Sequence, residues 1–219
     1  MNINDVLKKK LELDYVLLTE PFPHVIINNF FTPEELKLIW VELQFLTQPH
    51  KLQTPEKTGS AYEVDLSGKK IFGKNNSGVW LDEIFSKDRN LSDILRFNRK
   101  IFDIGFNDDL IKQHWFFKYL KFCNNDMTLL SYYEDGGYYK AHPDIATITV
   151  VTHLFKEPRM FEGGDLSFPD FDYNVGLVNN RTIIFPSVIN HEVSNVKVTS
   201  DEELSGRFTI SQFIRLGKI

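Results

Sequence analysis

Apolar positions change their period along this chain. In the N-terminal half they recur at helical spacing. Behind Thr32-Pro33-Glu34-Glu35, the residues Leu36, Ile39, Trp40, Leu43 and Leu46 fall on one helix face. Thr32 is a natural N-cap there, Pro33 suits the first helical position, and the two acids suit the positive end of the helix dipole. Just before it, Val25-Ile26-Ile27 is a β-branched run closed by Asn28-Asn29 and reads as a strand. Helical spacing returns at Leu81–Phe85, around Ile94–Phe102 and from Asp108 to Phe122, where His114 reads as an ordinary partly buried histidine. Between Thr47 and Val79 the pattern fades into a polar stretch punctuated by Pro49, Pro55, Gly59, Gly68, Gly73 and Gly78. A structureless loop that long is unusual in a compact domain. Gln48–Val79 is therefore expected to hold short strands or to form a lid, with Tyr62, Val64 and Phe72 available to cover a substrate.

From Met127 onward the period is two. Strands are predicted at Met127–Tyr133, Ala146–Phe155, Asp165–Phe168, Phe171–Val178, Thr182–Phe185, His191–Val198 and Phe208–Leu216, with Asn179-Asn180 as a tight turn. Ala146–Thr152 is β-branched at nearly every position, as a buried strand would be. Many short, closely spaced strands point to a sandwich or a jelly-roll barrel with helices packed outside.

Composition narrows the function classes. The 219 residues are 42% apolar and 14% aromatic, with 19 Phe, so the chain can fill a sizeable core. A net charge of −5 argues against nucleic acid as a partner, and Lys8-Lys9-Lys10 reads as a solvated helix face. Cys123 stands alone, which excludes an internal disulfide and fits a reducing compartment. Neither a signal-peptide pattern nor an apolar run of membrane-spanning length is found, so a soluble, cytoplasmic protein with no membrane partner is expected.

The candidate chemistry begins at Tyr132–Asp144, which ends in His142-Pro143-Asp144. In extended backbone an imidazole and a carboxylate two residues apart project to one face and can meet one ion, Fe(II) being one candidate. A second imidazole follows at His191, opening a predicted strand, with His153 as the competing candidate. Arg207, Thr209 and Ser211 share one face of the last strand, a fork and two hydroxyls suited to a carboxylate. Gly163-Gly164 marks a sharp bend or a close backbone approach.

As an ordered set these residues resemble the prolyl 4-hydroxylase-like 2-oxoglutarate/Fe(II)-dependent dioxygenases. That pattern runs Tyr, a Gly-rich turn, Tyr, His-x-Asp, Gly-Gly before a strand, His-x-Val and Arg-x-Ser/Thr. It is matched by Tyr133, Gly136-Gly137, Tyr139, His142-Pro143-Asp144, Gly163-Gly164-Asp165-Leu166, His191-Glu192-Val193 and Arg207-Phe208-Thr209, from about Leu129 to Leu216. The resemblance implies an α+β, mainly β fold, a double-stranded β-helix (distorted jelly roll). One domain would span 1–219, with N-terminal helical support at about 1–126 and the catalytic core at about 127–219.

The resemblance also implies a site. His142, Asp144 and His191 would ligate one Fe(II), with His153 outside the ligand set. Arg207 would hold the far carboxylate of 2-oxoglutarate, helped by Thr209 or Ser211, with Tyr139, Tyr133 and His153 close to that co-substrate. The reaction implied is oxidative decarboxylation of 2-oxoglutarate by O2, with ascorbate an optional addition, coupled to hydroxylation of a C–H bond. A prolyl or other amino-acid side chain, in a peptide or a small molecule, is the substrate class it points to. Asp144 separates the chain from iron halogenases, which lack that carboxylate so that a halide can bind. The alternatives are a non-catalytic cupin-like metal-binding module, which would favour a His-x-His element not found here, and a scaffold that has kept the barrel. Oligomeric state is not encoded in any of these features.

Overall fold

A two-residue period decides which face of each long strand meets the helices and which meets a cavity. The computed structural model describes residues 13–59, 62–64 and 66–217. The Lys8-Lys9-Lys10 run lies outside them, as does the Tyr62 side chain. Asn125–Tyr133 and Arg207–Arg215 pair antiparallel along their full length, Arg207 opposite Tyr133 and Phe213 opposite Met127. Their even-numbered Leu130, Tyr132, Phe208, Ile210 and Ile214 pack into the largest apolar core. Their odd-numbered Met127, Leu129, Ser131, Tyr133, Thr209, Ser211 and Phe213 line the cavity on the opposite side.

These strands sit in a seven-stranded antiparallel sheet. Its order is Tyr15–Leu18, His24–Ile27, Arg181–Pro186, Ile148–Leu154, Arg207–Arg215, Asn125–Tyr133 and Ser77–Trp80. Facing it is a five-stranded sheet of Tyr173–Asn174, Leu166–Phe168, His191–Val193, Tyr138–His142 and Lys74–Asn75. Leu166 and Phe168 from the smaller sheet pack on Val151, Ile183 and Phe185 from the larger. Two antiparallel sheets closed over a shared interior make the distorted jelly roll expected from the strand pattern. Ile148–Leu154 is buried at every position, as its β-branched composition required.

The helices cover the outer face of the larger sheet. In Pro33–Leu46 the Thr32 hydroxyl accepts from Glu35 N at 3.3 Å while the Glu35 carboxylate accepts from Thr32 N at 2.8 Å, a reciprocal capping box. Ile39, Leu43 and Leu46 are fully buried against Val25, Ile27 and Ile184. Among the described residues no helix is long and apolar enough to cross a membrane.

Four sequence expectations change. The amphipathic segment read as Asp108–Phe122 begins earlier, as a helix at Ile104–Gln113 capped by Asp103, and breaks at His114. There the backbone is extended (φ −149°, ψ 132°), and the imidazole accepts from Phe116 N at 3.2 Å to restart the chain as a 3-10 turn. Phe171–Val178 holds only the two-residue strand Tyr173–Asn174, because Pro169–Phe171 coils, Asp172 is left-handed and Gly176 turns at φ 69°. His191–Val198 is two strands in different sheets. His191–Val193 pairs with Tyr138–His142 and Leu166–Phe168, and Val196–Val198 pairs with Phe161–Gly163. Finally, the boundary near residue 126 does not separate helices from jelly roll. The short strands Tyr15–Leu18, His24–Ile27, Lys74–Asn75 and Ser77–Trp80, all N-terminal to it, extend both sheets.

Candidate metal centre and co-substrate cavity

Cross-strand pairing, and not sequence proximity, brings the two imidazoles together. His142 ends its strand directly opposite His191. Pro143 then carries Asp144 out of the strand, where Asp144 N donates to Ser187 O at 2.8 Å. Ligand atoms of His142, Asp144 and His191 all lie within 4.8 Å of one another. Asp144 Oδ1 is 3.7 Å from His142 Nε2, and its Oδ2 is 3.3 Å from His191 Nε2.

Backbone carbonyls fix the imidazole tautomers. His142 Nδ1 donates to Lys140 O at 2.8 Å, and His191 Nδ1 donates to Ile189 O at 3.0 Å. With their protons held there, both Nε2 atoms turn bare lone pairs toward a carboxylate. Burial pushes His142 down to about 4, helped by the charge of His191, and pushes His191 down to about 4 as well. Both are neutral near pH 7. Burial raises the Asp144 carboxyl, while the Thr149 hydrogen bond and His142 oppose that rise. Two neutral nitrogen donors and a carboxylate converging without a cation repel one another, so this donor set fits a divalent first-row metal.

A second layer holds the carboxylate. Thr149 Oγ1 donates to Asp144 Oδ2 at 2.7 Å and lies 2.9 Å from Ser187 Oγ. Thr149 has one hydroxyl proton, and with it on Asp144 the Ser187 hydroxyl is the donor in the second bond. Tyr139 stacks on His142 with ring centroids 3.6 Å apart and planes 17° apart, and Phe185 meets His191 edge-on at 5.0 Å.

The triad opens into a cavity of about 700 Å³. Thr209, Ser211, Tyr133 and Tyr139 line it. Arg207 lies fully buried behind that wall, its guanidinium donating to Thr209 Oγ1 at 2.6 Å and to His153 Nδ1 at 2.8 Å, and 5.1 Å from the Tyr133 ring. Its Nε has no partner, and no carboxylate lies within ion-pair distance among the described residues. A buried guanidinium without a counter-ion is costly, so a bound anion there would relieve it. Gly164, at φ 74°, lets the chain pass so close that a Cβ would stand 3.0 Å from Arg207 Cδ.

His153 stands differently from its sequence expectation. It is wholly buried beside Arg207 and away from the cavity wall, and its Nδ1 already accepts the arginine's proton. It props the guanidinium; only its unpartnered Nε2 retains a hydrogen to offer. Sequence reasoning missed Thr149, Ser187 and Lys74. Thr149 sits on a strand and Ser187 just past the end of the strand paired with it, so that pairing sets the contact, and nothing in a polar stretch marks Lys74 as a lysine that folds inward. Thr58, Gly59, Gly73 and Lys74, all from Gln48–Val79, also border the cavity.

Residues 127–215 match the family model of the 2OG-Fe(II) oxygenase superfamily. That match covers less than half of the chain and makes this segment similar to the 2OG-Fe(II) oxygenase superfamily. Fe(II) and 2-oxoglutarate are thus the ligands that family implies, and the donor set and the unpaired Arg207 fit them. The chain is 31% identical over 105 residues to an uncharacterised PKHD-type hydroxylase of Synechocystis, a match covering 39% of this chain and 35% of that protein. The matched part is thus about a third of that relative's length. A Pseudomonas putida prolyl-4-hydroxylase shares the oxygenase fold at TM-score 0.53 and 15% identity, over 98% of this chain and 97% of that one. A viral collagen prolyl hydroxylase from Paramecium Bursaria Chlorella virus-1 aligns at TM-score 0.50 and 14% identity, over 89% and 96%. At these identities the likeness is one of fold.

Proposed function

We propose that this chain is a 2-oxoglutarate- and Fe(II)-dependent dioxygenase that hydroxylates a C–H bond. The balanced reaction is R–H + 2-oxoglutarate + O2 → R–OH + succinate + CO2. The observation that carries this reading is the pair of bare Nε2 atoms set against the Asp144 carboxylate, next to a buried arginine lacking a counter-ion.

In this proposal His142, Asp144 and His191 hold the iron, which supplies the oxygen chemistry when bound. Thr149 keeps Asp144 ionised and aimed. Arg207, braced by His153, holds the far carboxylate of 2-oxoglutarate, with Thr209, Ser211 and the Tyr133 hydroxyl completing the polar wall. Tyr139 orients His142 and borders the space where co-substrate and substrate meet. The apolar remainder of the cavity excludes water, which strengthens the Arg207 contact. O2 is the oxidant and ascorbate an optional reductant. The lone cysteine supports a cytoplasmic setting. The name of the Synechocystis relative, a PKHD-type hydroxylase, favours hydroxylation.

The test is succinate formation from 2-oxoglutarate. The protein should produce succinate only with Fe(II) and O2 together, and Asp144→Ala should reduce it to background. A non-catalytic cupin-like module would form none under any condition.

A further inference from the structure

We propose that Lys74 binds a carboxylate of the primary substrate, which makes that substrate a small, mainly apolar carboxylic acid. This rests on the dioxygenase reading, since it concerns what enters the cavity beside the co-substrate.

Lys74 is 3% exposed, yet its ammonium has no hydrogen bond or ion pair among the described residues. Lysines that merely cross a protein surface bury the stem and keep the head in water; this one does not. Its three N–H donors have no protein acceptor among the described residues, so the acceptor comes from whatever fills the cavity. The nitrogen instead faces the cavity, 5.3 Å from the centroid of the Tyr139 ring that stacks on His142. Pairing of Lys74 with Tyr139 across neighbouring strands fixes that placement. Burial also lowers its pKa to about 8, with Asp144 pulling the other way, so it stays largely charged at pH 7.

Charge balance separates Lys74 from the co-substrate. Asp144 and Arg207 cancel, and a metal dication cancels a dianionic 2-oxoglutarate. Among the buried charges the Lys74 ammonium is left as one unit of positive charge, since Lys140 and Arg215, which also border the cavity, are exposed to solvent. A monocarboxylate substrate neutralises it, and its body then meets Trp80, Met127, Leu129, Val151, Val193 and Phe213. A cavity of about 700 Å³ is of a size that suits a small molecule.

The test uses the full chain loaded with Mn(II) and 2-oxoglutarate without oxygen, so that binding is read and not turnover. Two acid–amide pairs serve as probes: 4-methylpentanoate with 4-methylpentanamide, and 3-phenylpropanoate with 3-phenylpropanamide. At least one acid should bind about tenfold or more tightly than its amide by calorimetric titration. In Lys74→Met, which keeps length and removes charge, that preference should disappear while 2-oxoglutarate affinity stays within about threefold. Equal binding of acid and amide in the unaltered protein, or of neither, would overturn the proposal even if Lys74→Met failed to fold. A tens-fold loss of 2-oxoglutarate affinity in Lys74→Met would overturn it too, by assigning Lys74 to the co-substrate. Failure of the unaltered protein to bind Mn(II) or 2-oxoglutarate would sink the dioxygenase reading along with it.

Discussion

At the scale of single residues the site is a set of lone pairs held in place by hydrogen bonds, and its weakest support is its most informative one. Thr149→Val keeps the shape of the side chain and removes the proton donated to Asp144. Loss of such a supporting contact costs about 10–100-fold in metal affinity, so Mn(II) titration of this variant should shift by that much. An unchanged titration would mean that the Asp144 backbone contact alone positions the carboxylate. For Arg207→Ala the expected change is in the co-substrate: removing one partner of a buried charged pair costs roughly 2–5 kcal/mol. The 2-oxoglutarate requirement should therefore rise tens-fold or more, and an unchanged requirement would move the anchor elsewhere, with Arg215 at the cavity rim the first candidate. Much of this was legible in the sequence because His142-Pro143-Asp144 and Arg207-Phe208-Thr209 carry their geometry locally, through i and i+2. Thr149, Ser187 and Lys74 were not, since each acquires its role from a strand that pairs only in the folded chain. His153 shows the same limit from the other side: it pairs directly opposite Thr209, and that register puts it on the Arg207 face of the sheet.

At the scale of elements, glycine and the odd step in a strand pattern mark where the chain changes sheet. Gly163 and Gly164 both take positive φ, and a Cβ on Gly163 would lie 2.0 Å from Asn195 O. That bend lets Phe161–Gly163 pair with Val196–Val198 while Leu166–Phe168 joins the other sheet. Gly164→Ala combines left-handed strain of about 1–3 kcal/mol with pressure on Arg207, so it should lower the melting temperature and weaken 2-oxoglutarate binding together. A stability loss with unaltered co-substrate binding would show that Arg207 does not depend on this bend. The break after Val193 was readable in retrospect: Val193 and Val196 are three positions apart, which two-residue alternation does not allow on one face. Gln48–Val79 supplies a short helix at Pro55–Thr58, a hairpin of Tyr62–Val64 with Lys70–Phe72, and the cavity-lining Lys74. Replacing residues 62–72 by a short Gly-Ser turn should spare Mn(II) binding and lower the substrate-stimulated part of 2-oxoglutarate turnover. Loss of Mn(II) binding would instead make the hairpin part of the scaffold.

At the scale of the whole molecule, buried histidines tie stability to pH. His142 and His191 fall from 6.5 to about 4, and burial lowers His24 and His153 in the same direction. The unfolded chain therefore takes up these protons first as pH drops. The metal-free protein should be at full stability above about pH 6.5 and lose it steadily toward pH 4, and metal affinity should fall over the same window. A melting temperature that stays flat from pH 7 to 4.5 would contradict this. Fold class was legible because two-residue alternation dominates after Met127 and helical spacing dominates before it. The strands that complete both sheets from the N-terminal side were harder to read, being two to four residues long and bounded by polar turns.

All three scales converge on the claim that one metal and one 2-oxoglutarate share this cavity. Its most direct measurement is a crystal structure of the protein grown without oxygen in Mn(II) and 2-oxoglutarate. The expected result is a single ion bound by His142 Nε2, His191 Nε2 and an Asp144 carboxylate oxygen, with the far carboxylate of 2-oxoglutarate against Arg207 and Thr209. An ion bound by His153, or a 2-oxoglutarate whose far carboxylate meets Lys74 in place of Arg207, would contradict the account.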